Sequence, residues 1–209
     1  MIAPESVGST GSCSSWIGKL QILNYPPPTF FFFFGLSHVS LTNLFFSEDR
    51  AYALKAHRPL SLYPTISLPT QEDDPTDLIP IKGFIHLISL YKPFDETFFG
   101  LWNKTRPGAE PSWLAQLQHQ LAEALPAYIE GTETQMVDLR MSQQWLKTMV
   151  WQLAISHGFI SSLANDNTMS FKYPIEISRD LVEMSNQFSQ QAMDVHGIGV
   201  VRIVFDNSP

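Results

Sequence analysis

Apolar residues in the C-terminal part of the chain recur at steps of three and four positions, the spacing of one face of an α-helix. Pro174 stands near the start of this pattern, where its missing backbone N–H costs nothing, and Gly197 follows as a stop signal. The sequence therefore predicts one continuous helix between these two residues. The apolar positions that define it are Ile177, Leu181, Met184, Phe188, Ala192 and Val195.

A second helical pattern precedes this one. Residues 132–135, Thr-Glu-Thr-Gln, have the form of a capping box, which marks the start of a helix. A broad apolar face follows, and Gly158 closes it. The two patterns predict a helix–loop–helix pair, joined at residues 164–167, that packs on other helices. The apolar face of the earlier helix consists of Trp145, Leu146, Met149, Val150 and Leu153.

Prolines delimit three further helical segments upstream. The segment from Leu44 suits a helix that ends near His57, because Pro59 disfavours helical geometry at the residue before it. Residues 78–103 carry one apolar helical face, which Pro93 is predicted to kink or split. Another helix is predicted from residue 111, with leucines along one side.

The predicted fold class is all-α, an irregular bundle or array of about five to six helices. Residues 201–209 favour a strand by propensity, but no partner strand is predicted elsewhere, so this segment is interpreted as a short helix. The helical part is assigned to residues 44–209.

Residues 1–43 differ from the rest and are predicted to form a low-complexity leader without a stable fold. Residues 6–15 are rich in Ser and Gly, three prolines follow Tyr25, and residues 30–34 are five consecutive phenylalanines. A hydrophobic anchor is one interpretation. The favoured hypothesis is a gene-model artefact, in which a pyrimidine-rich intron end is translated into Phe codons.

Composition narrows the function classes. Hydrophobic residues make up 44% and charged residues 16% of the 209-residue chain, which is typical of globular proteins. The net charge is −7 and only 13 Lys and Arg are present, which argues against direct DNA binding. Cys13 is the single cysteine, so the chain has neither an internal disulfide nor a thiolate cluster. The sequence shows no signal-peptide pattern and no apolar run long enough for a membrane span.

Motifs of catalysis are missing from the sequence, and we predict that the chain is not an enzyme. No His lies at a metal-motif spacing from another His or a Cys, and no nucleophile elbow or phosphate-binding loop occurs. The acidic residues 72–74 are interpreted as a solvated helix lead-in rather than a metal site. The tryptophans are assigned to core packing rather than to ligand stacking.

Three arginines, Arg50, Arg58 and Arg179, lie among apolar neighbours in the sequence. A buried arginine needs a carboxylate or carbonyl partner. Asp49 or Glu48 is expected to supply it for the first, and Asp180 or Glu176 for the last. An internal ion pair is the simpler interpretation, and binding of an anionic effector is the sharper one.

Several segments resemble fungal Zn2Cys6 binuclear-cluster transcription factors, in the helical regulatory (middle homology) region and the C-terminal half. The first is Glu48-Asp-Arg-Ala-Tyr-Ala-Leu, followed by Arg58-Pro59 and then by Ile66-Ser-Leu-Pro. Residues 90–104, 142–153, 171–181 and 188–199 are similar to the C-terminal half of such regulators, including those of maltose or sugar-polymer use. The resemblance covers residues 44–199 and breaks after Gly199.

The resemblance implies a nuclear regulator whose intact form binds two zinc ions through six cysteines and reads DNA with that domain. With one cysteine and no basic cluster, neither zinc binding nor DNA recognition transfers to any residue of this chain. We therefore expect a fragment of a regulatory domain without cofactor of its own. Its expected partners are the rest of a transcription factor or co-regulators, with dimerisation in the intact protein. Its regulatory candidates are Arg50, Arg58, Pro59, Arg179 and Asp180. The alternative is a stand-alone helical protein-interaction adaptor.

Overall fold

The computed structural model describes residues 38–62, 78–108, 110–162 and 166–194. Across these residues the backbone forms seven α-helices and a single turn of 3-10 helix, with no strand, so the predicted all-α class is confirmed. Residues 30–34, the acidic residues 72–74 and the predicted helix at 201–209 lie outside the described residues. The helices are α1 (His38–Ala56), α2 (Leu78–Tyr91), α3 (Glu96–Trp102), α4 (Pro111–Glu123), α5 (Glu133–Ser156), α6 (Tyr173–Ser185) and α7 (Gln190–Asp194), with the 3-10 turn at Asn167–Met169.

The predicted continuous helix between Pro174 and Gly197 is wrong, because it is broken after Ser185. α6 ends there, and α7 starts at Gln190. Ser189 lies in the break, where its backbone N–H and hydroxyl both donate to the carboxylate of Glu133. Its hydroxyl oxygen also accepts a hydrogen bond from the N–H of Ala192, at 3.3 Å. Hydrogen bonds to a residue far away in sequence thus interrupt a helical pattern that local spacing favours.

The predicted split at Pro93 is confirmed. α2 ends at Tyr91 and α3 begins at Glu96, with Asp95 as its N-cap. The Asp95 carboxylate accepts from the N–H groups of Thr97 and Phe98, at 2.9 and 3.0 Å. A proline that disfavours helix continuation and an aspartate that satisfies the free N–H groups together start a new helix.

The predicted end of the first helix near His57 is confirmed. α1 begins at His38, six residues before the predicted domain boundary, and ends at Ala56, after which His57 takes a φ of 49°. The chain then folds back along the helix, because the Asp49 carboxylate accepts from the backbone N–H groups of Ser61 and Leu62.

α5 is the central element, and it packs against α2, α4, α6 and α7. The predicted capping box is confirmed: Thr132 Oγ1 accepts from the N–H of Gln135, whose side-chain oxygen accepts from the N–H of Thr132 at 3.0 Å. At the other end Gly158 takes a φ of +71°, a conformation that glycine adopts without strain.

The apolar core forms two clusters, one on each side of α5. The larger one joins α5 to α1, α2, α3 and α4, and the smaller one joins it to α6 and α7. α5 therefore has no exposed stripe over most of its length, which is typical of a helix in the interior of a domain. The larger cluster includes Phe84, Tyr91, Phe94, Phe98, Leu114, Leu121, Leu146 and Leu153, all with 1% or less of their surface exposed. The smaller cluster contains Val137, Met141, Trp151, Tyr173, Ile177, Leu181, Met184 and Ala192.

Candidate functional site

Six polar side chains are buried on the central helix α5, which is unusual because polar groups in a core need hydrogen-bond partners. Gln143 Nε2 donates to the carbonyl of Leu121 at 2.7 Å, and Gln118 Nε2 donates to the carbonyl of Lys147 at 2.9 Å. These bonds lock α4 onto α5. The buried polar residues of α5 are Gln135, Asp138, Ser142, Gln143, Gln144 and Lys147.

A groove with a volume of about 380 Å³ opens where α5 meets α6. Residues 127–129, which follow α4, form one rim, and the loop after α6 forms another. The volume lies within the range of small-molecule sites. The lining residues are Ala127, Tyr128, Ile129, Met136, Arg140, Gln143, Gln144, Asp180, Glu183, Met184, Gln187 and Phe188.

Charges of opposite sign lie on the two walls of this groove. Arg140 belongs to the α5 wall and is half-buried, and burial lowers the pKa of its guanidinium. Its Nη2 donates to the carbonyls of Pro126 and Ala127, which fixes the rim against α5. Asp180 and Glu183 belong to the α6 wall and are exposed.

Of the three arginines that were expected to be buried, only Arg50 is buried in the structure, with 2% of its surface exposed. Its predicted ion pair is replaced by carbonyl bonds: Nε donates to Phe94 O at 3.0 Å and Nη1 donates to Phe46 O at 3.2 Å. The guanidinium also lies 3.3 Å from the centre of the Phe46 ring. Burial lowers the Arg50 pKa to about 10, and the negative charge of Asp49 partly offsets this effect.

Arg58 and Pro59 are exposed, so the expectation that this arginine lies in an apolar environment is wrong. The chain is already leaving α1 at this point, and what contacts the rest of the fold is the Arg58 carbonyl, which accepts from Asn103 Nδ2 at 3.0 Å. Leu60, the next residue, is the one that is buried. The segment is thus anchored by its backbone and its leucine rather than by its guanidinium.

Arg179 is also exposed, which corrects the expectation of a buried arginine on α6. Its position in the helix places it between Ile175 and Val182, on the face turned away from α5, and these two apolar residues are exposed as well. Its sequence neighbour Asp180 lines the groove instead. The structure therefore separates two candidates that are adjacent in sequence.

An acidic cluster is buried on the side of α5 away from the groove. Asp138 lies close enough to Tyr91 of α2 and Glu48 of α1 for their charges to affect one another. Burial and then the charge of Glu48 raise the Asp138 pKa to about 7. Burial also raises the pKa of the fully buried Tyr91 hydroxyl well above its ordinary value. The charges of Asp138 and then of Glu48 add to this effect.

Sequence reasoning missed the groove and the buried acid. One signal for them was available in the sequence. Residues 135–147 lie in a strong helical pattern but contain many polar residues, whereas a surface helix would show a cleaner apolar stripe. Among the residues that the structure describes, no group of three His, Cys, Asp or Glu could hold a metal ion, and no helix could cross a membrane.

Three curated proteins of Saccharomyces cerevisiae are similar to the chain. The respiratory transcription factor ZNF1 is 23% identical over 154 residues, which are 73% of this chain and 33% of that protein. The maltose fermentation regulatory proteins MAL13 and MAL63 are 26% and 23% identical over 160 and 159 residues, in each case 75% of this chain and 33% of the relative. No family model and no solved structure matches.

The chain is similar to fungal transcription regulators over about three quarters of its length. The resemblance to the zinc-cluster class of these regulators, predicted from the sequence motifs, is confirmed. The chain spans about a third of the length of the curated relatives it matches. These relatives are named as a transcription factor and regulatory proteins rather than as enzymes, which supports a non-enzymatic role at the level of the family.

Proposed function

We propose that this chain is a segment of the helical regulatory domain of a fungal-type zinc-cluster transcription factor, and that it acts in the nucleus. The observation that carries the proposal is the similarity to three transcription regulators over about three quarters of the chain. Two of the three are regulators of maltose fermentation. We therefore infer that the target genes serve carbohydrate utilisation.

The mechanism that we propose is intramolecular control. A regulatory domain changes the activity of the attached DNA-binding part when an effector or co-regulator binds one of two helix packings more tightly than the other. α5 suits this role because it contacts helices on both sides of the core. Zinc and DNA contacts are expected from a separate six-cysteine segment of the intact regulator, and dimerisation is expected there too.

A reporter assay tests this proposal. The 209-residue chain is placed between an unrelated DNA-binding domain and an unrelated activation domain, and reporter output is measured on glucose and on maltose. We expect the inserted chain to lower the output on one carbon source and to release it on the other. The control is the same fusion with Leu146→Asp, which places a charge in the core and abolishes packing. Equal output from both fusions on both carbon sources would contradict the proposal.

The second candidate is a stand-alone helical adaptor, which the exposed apolar residues of α6 favour. Ile175 and Val182 are both exposed, at a spacing that places them on one side of the helix, and the exposed Phe171 lies in the turn just before it. Long-read sequencing of the transcript separates the two functions. A message that encodes an in-frame, Lys- and Arg-rich segment with six cysteines upstream supports the regulator, whereas a message without it supports the adaptor.

A further inference from the structure

The groove between α5 and α6 carries positive charge on one wall and negative charge on the other. Two ion pairs occur among the described residues, Lys82 with Glu130 and His119 with Asp166, and neither involves the groove. The Arg140 guanidinium is therefore more than 4 Å from the carboxylates of Asp180 and Glu183. The opposite charges face one cavity without neutralising each other by direct contact.

Two side chains that line the groove have polar atoms without a hydrogen-bond partner among the described residues. Both hydrogen bonds of Arg140 are donated by Nη2, and a guanidinium has five N–H donors, so those on Nε and Nη1 remain for a ligand. Gln144, only 8% exposed, also lines the groove, and its side-chain oxygen is buried without a hydrogen-bond partner among the described residues. A buried amide oxygen without a partner is costly, but this oxygen has almost no accessible surface, so a ligand in the groove reaches it only if the side chain moves.

The remaining lining is apolar and aromatic. Met136 lies on the α5 wall and Ile129 on the neighbouring rim, whereas Met184 and Phe188 lie on the α6 side. The Tyr128 side chain is 80% exposed at the mouth of the groove. An exposed tyrosine beside an open cavity offers a ring that a ligand can cover. The site thus combines a cation, two anions and a flexible apolar surface.

We propose that this groove binds a small zwitterion with an apolar side chain, of the amino-acid type. Its carboxylate accepts from Arg140, its ammonium group donates to Asp180 and Glu183, and its side chain packs on Met184 and Phe188. A ligand with only a carboxylate would meet the two acids, and a ligand with only an amine would meet the arginine. This assignment goes beyond the proposed function, on which its regulatory meaning rests, by adding an amino-acid ligand to the response to carbon source.

Calorimetry on the purified 209-residue chain tests the charge requirement with three molecules that share one ring. L-phenylalanine carries both charges, 3-phenylpropanoate lacks the ammonium group, and 2-phenylethylamine lacks the carboxylate. We expect L-phenylalanine to bind at least tenfold more tightly than either analogue, because each charged hydrogen bond lost costs about 1.4 kcal/mol or more. Equal binding of the three compounds, or no binding of L-phenylalanine and L-leucine, would overturn the proposal.

Matched variants locate the binding. Asp180→Asn and Glu183→Gln remove the negative wall without changing side-chain size and should each weaken L-phenylalanine binding about tenfold. Glu176→Gln is the control, because it makes the same chemical change on α6 outside the groove. Arg140→Gln should weaken binding at least as much, and its melting curve shows whether loss of the bonds to Pro126 and Ala127 also destabilises the fold. Unchanged affinity in both acid variants would refute the assignment.

The site and the proposed function can fail separately. Binding is measured on the chain alone and does not depend on transcription. If the chain binds L-phenylalanine in a charge-dependent way but the reporter responds neither to carbon source nor to added L-phenylalanine, the site is retained and the regulatory role is removed. A reporter that responds to carbon source, in a chain that binds none of the amino acids tested, removes the site and retains the regulatory role.

Discussion

The two sides of α5 are buried in different environments. Toward α1–α4 the helix meets a large aromatic and aliphatic cluster that includes Phe84 and Phe98, both fully buried. Toward α6 and α7 it meets a smaller cluster and then a groove with charged walls. Dense apolar packing fixes one arrangement of helices, whereas an incompletely filled polar interface leaves room for a ligand. We therefore expect substitutions on the first side to affect mainly stability, and substitutions on the second side to affect mainly the proposed ligand binding.

The largest effect that tests this comparison is the loss of a core aromatic residue. Phe84→Ala removes a fully buried ring of the larger cluster and should lower the free energy of unfolding by about 3–5 kcal/mol. Met184→Ala, at the border of the groove, should cost less, because the site already contains open space. Urea denaturation followed by circular dichroism measures both. Equal losses would show that the two sides contribute alike to stability.

Asp138→Asn is expected to stabilise the chain, because it removes a buried carboxyl whose ionisation is unfavourable in the folded state. This variant would show that the densely packed side of α5 also contains a destabilising group. The Asp138 pKa is raised from 3.8 to about 7, so between these values the unfolded chain has released a proton that the folded chain retains. Stability therefore falls as pH rises from about 4 to about 7 and levels off above. The gain in the variant should grow from about 1 kcal/mol at pH 4.5 to at most about 4 kcal/mol at pH 8.

Thermal melting of the wild type and of Asp138→Asn across this pH range checks the prediction. Glu183→Gln is the control, because the carboxylate that it removes is exposed on the groove side. A gain in melting temperature that is the same at pH 4.5 and pH 8 would show that the buried carboxyl does not titrate in this window.

Arg50→Met tests whether the buried arginine stabilises the larger side through its carbonyl bonds. The variant leaves the carbonyls of Phe94 and Phe46 without their guanidinium donors, and the expected loss is about 1–3 kcal/mol. Arg58→Gln is the matched control, because its side chain is exposed, and it should change stability by less than about 0.5 kcal/mol. Equal stability of both variants would mean that the Arg50 hydrogen bonds contribute nothing net.

Thr132→Ala tests the smallest of these effects, at the start of the helix that both sides share. The variant removes the side-chain oxygen that accepts from the N–H of Gln135, and the expected loss is about 1 kcal/mol. Thr132→Ser keeps that acceptor and should remain close to the wild type. Chemical denaturation of the two variants distinguishes a cap from a side chain that only fills space.

The sequence predicted the features that depend on neighbouring residues. The capping box at Thr132, the split at Pro93 and the end of α1 near His57 are local effects, and all three are confirmed. It missed the break after Ser185, where Ser189 accepts from the N–H of Ala192 and also contacts Glu133, 56 positions away. Local spacing cannot reveal a partner at that distance.

The candidate site was less predictable than the fold. The need of Arg50 for an oxygen partner could be inferred, but its main acceptor is the carbonyl of Phe94, 44 residues away. The groove takes its walls from three separate segments, residues 127–129, 136–144 and 180–188. No motif marks such a site, because its residues become neighbours only when α6 packs against α5.

The continuity of α5 has a mechanical consequence. At 24 residues it is about 36 Å long, and its hydrogen-bonded backbone makes it close to a rigid rod. Arg140 on the groove side and Asp138 on the side of Tyr91 lie within one turn of that rod, on nearly opposite faces. A small rotation of the rod about its axis moves both groups together, in opposite directions relative to their neighbours, so the helix itself would transmit a signal from the groove to the opposite side.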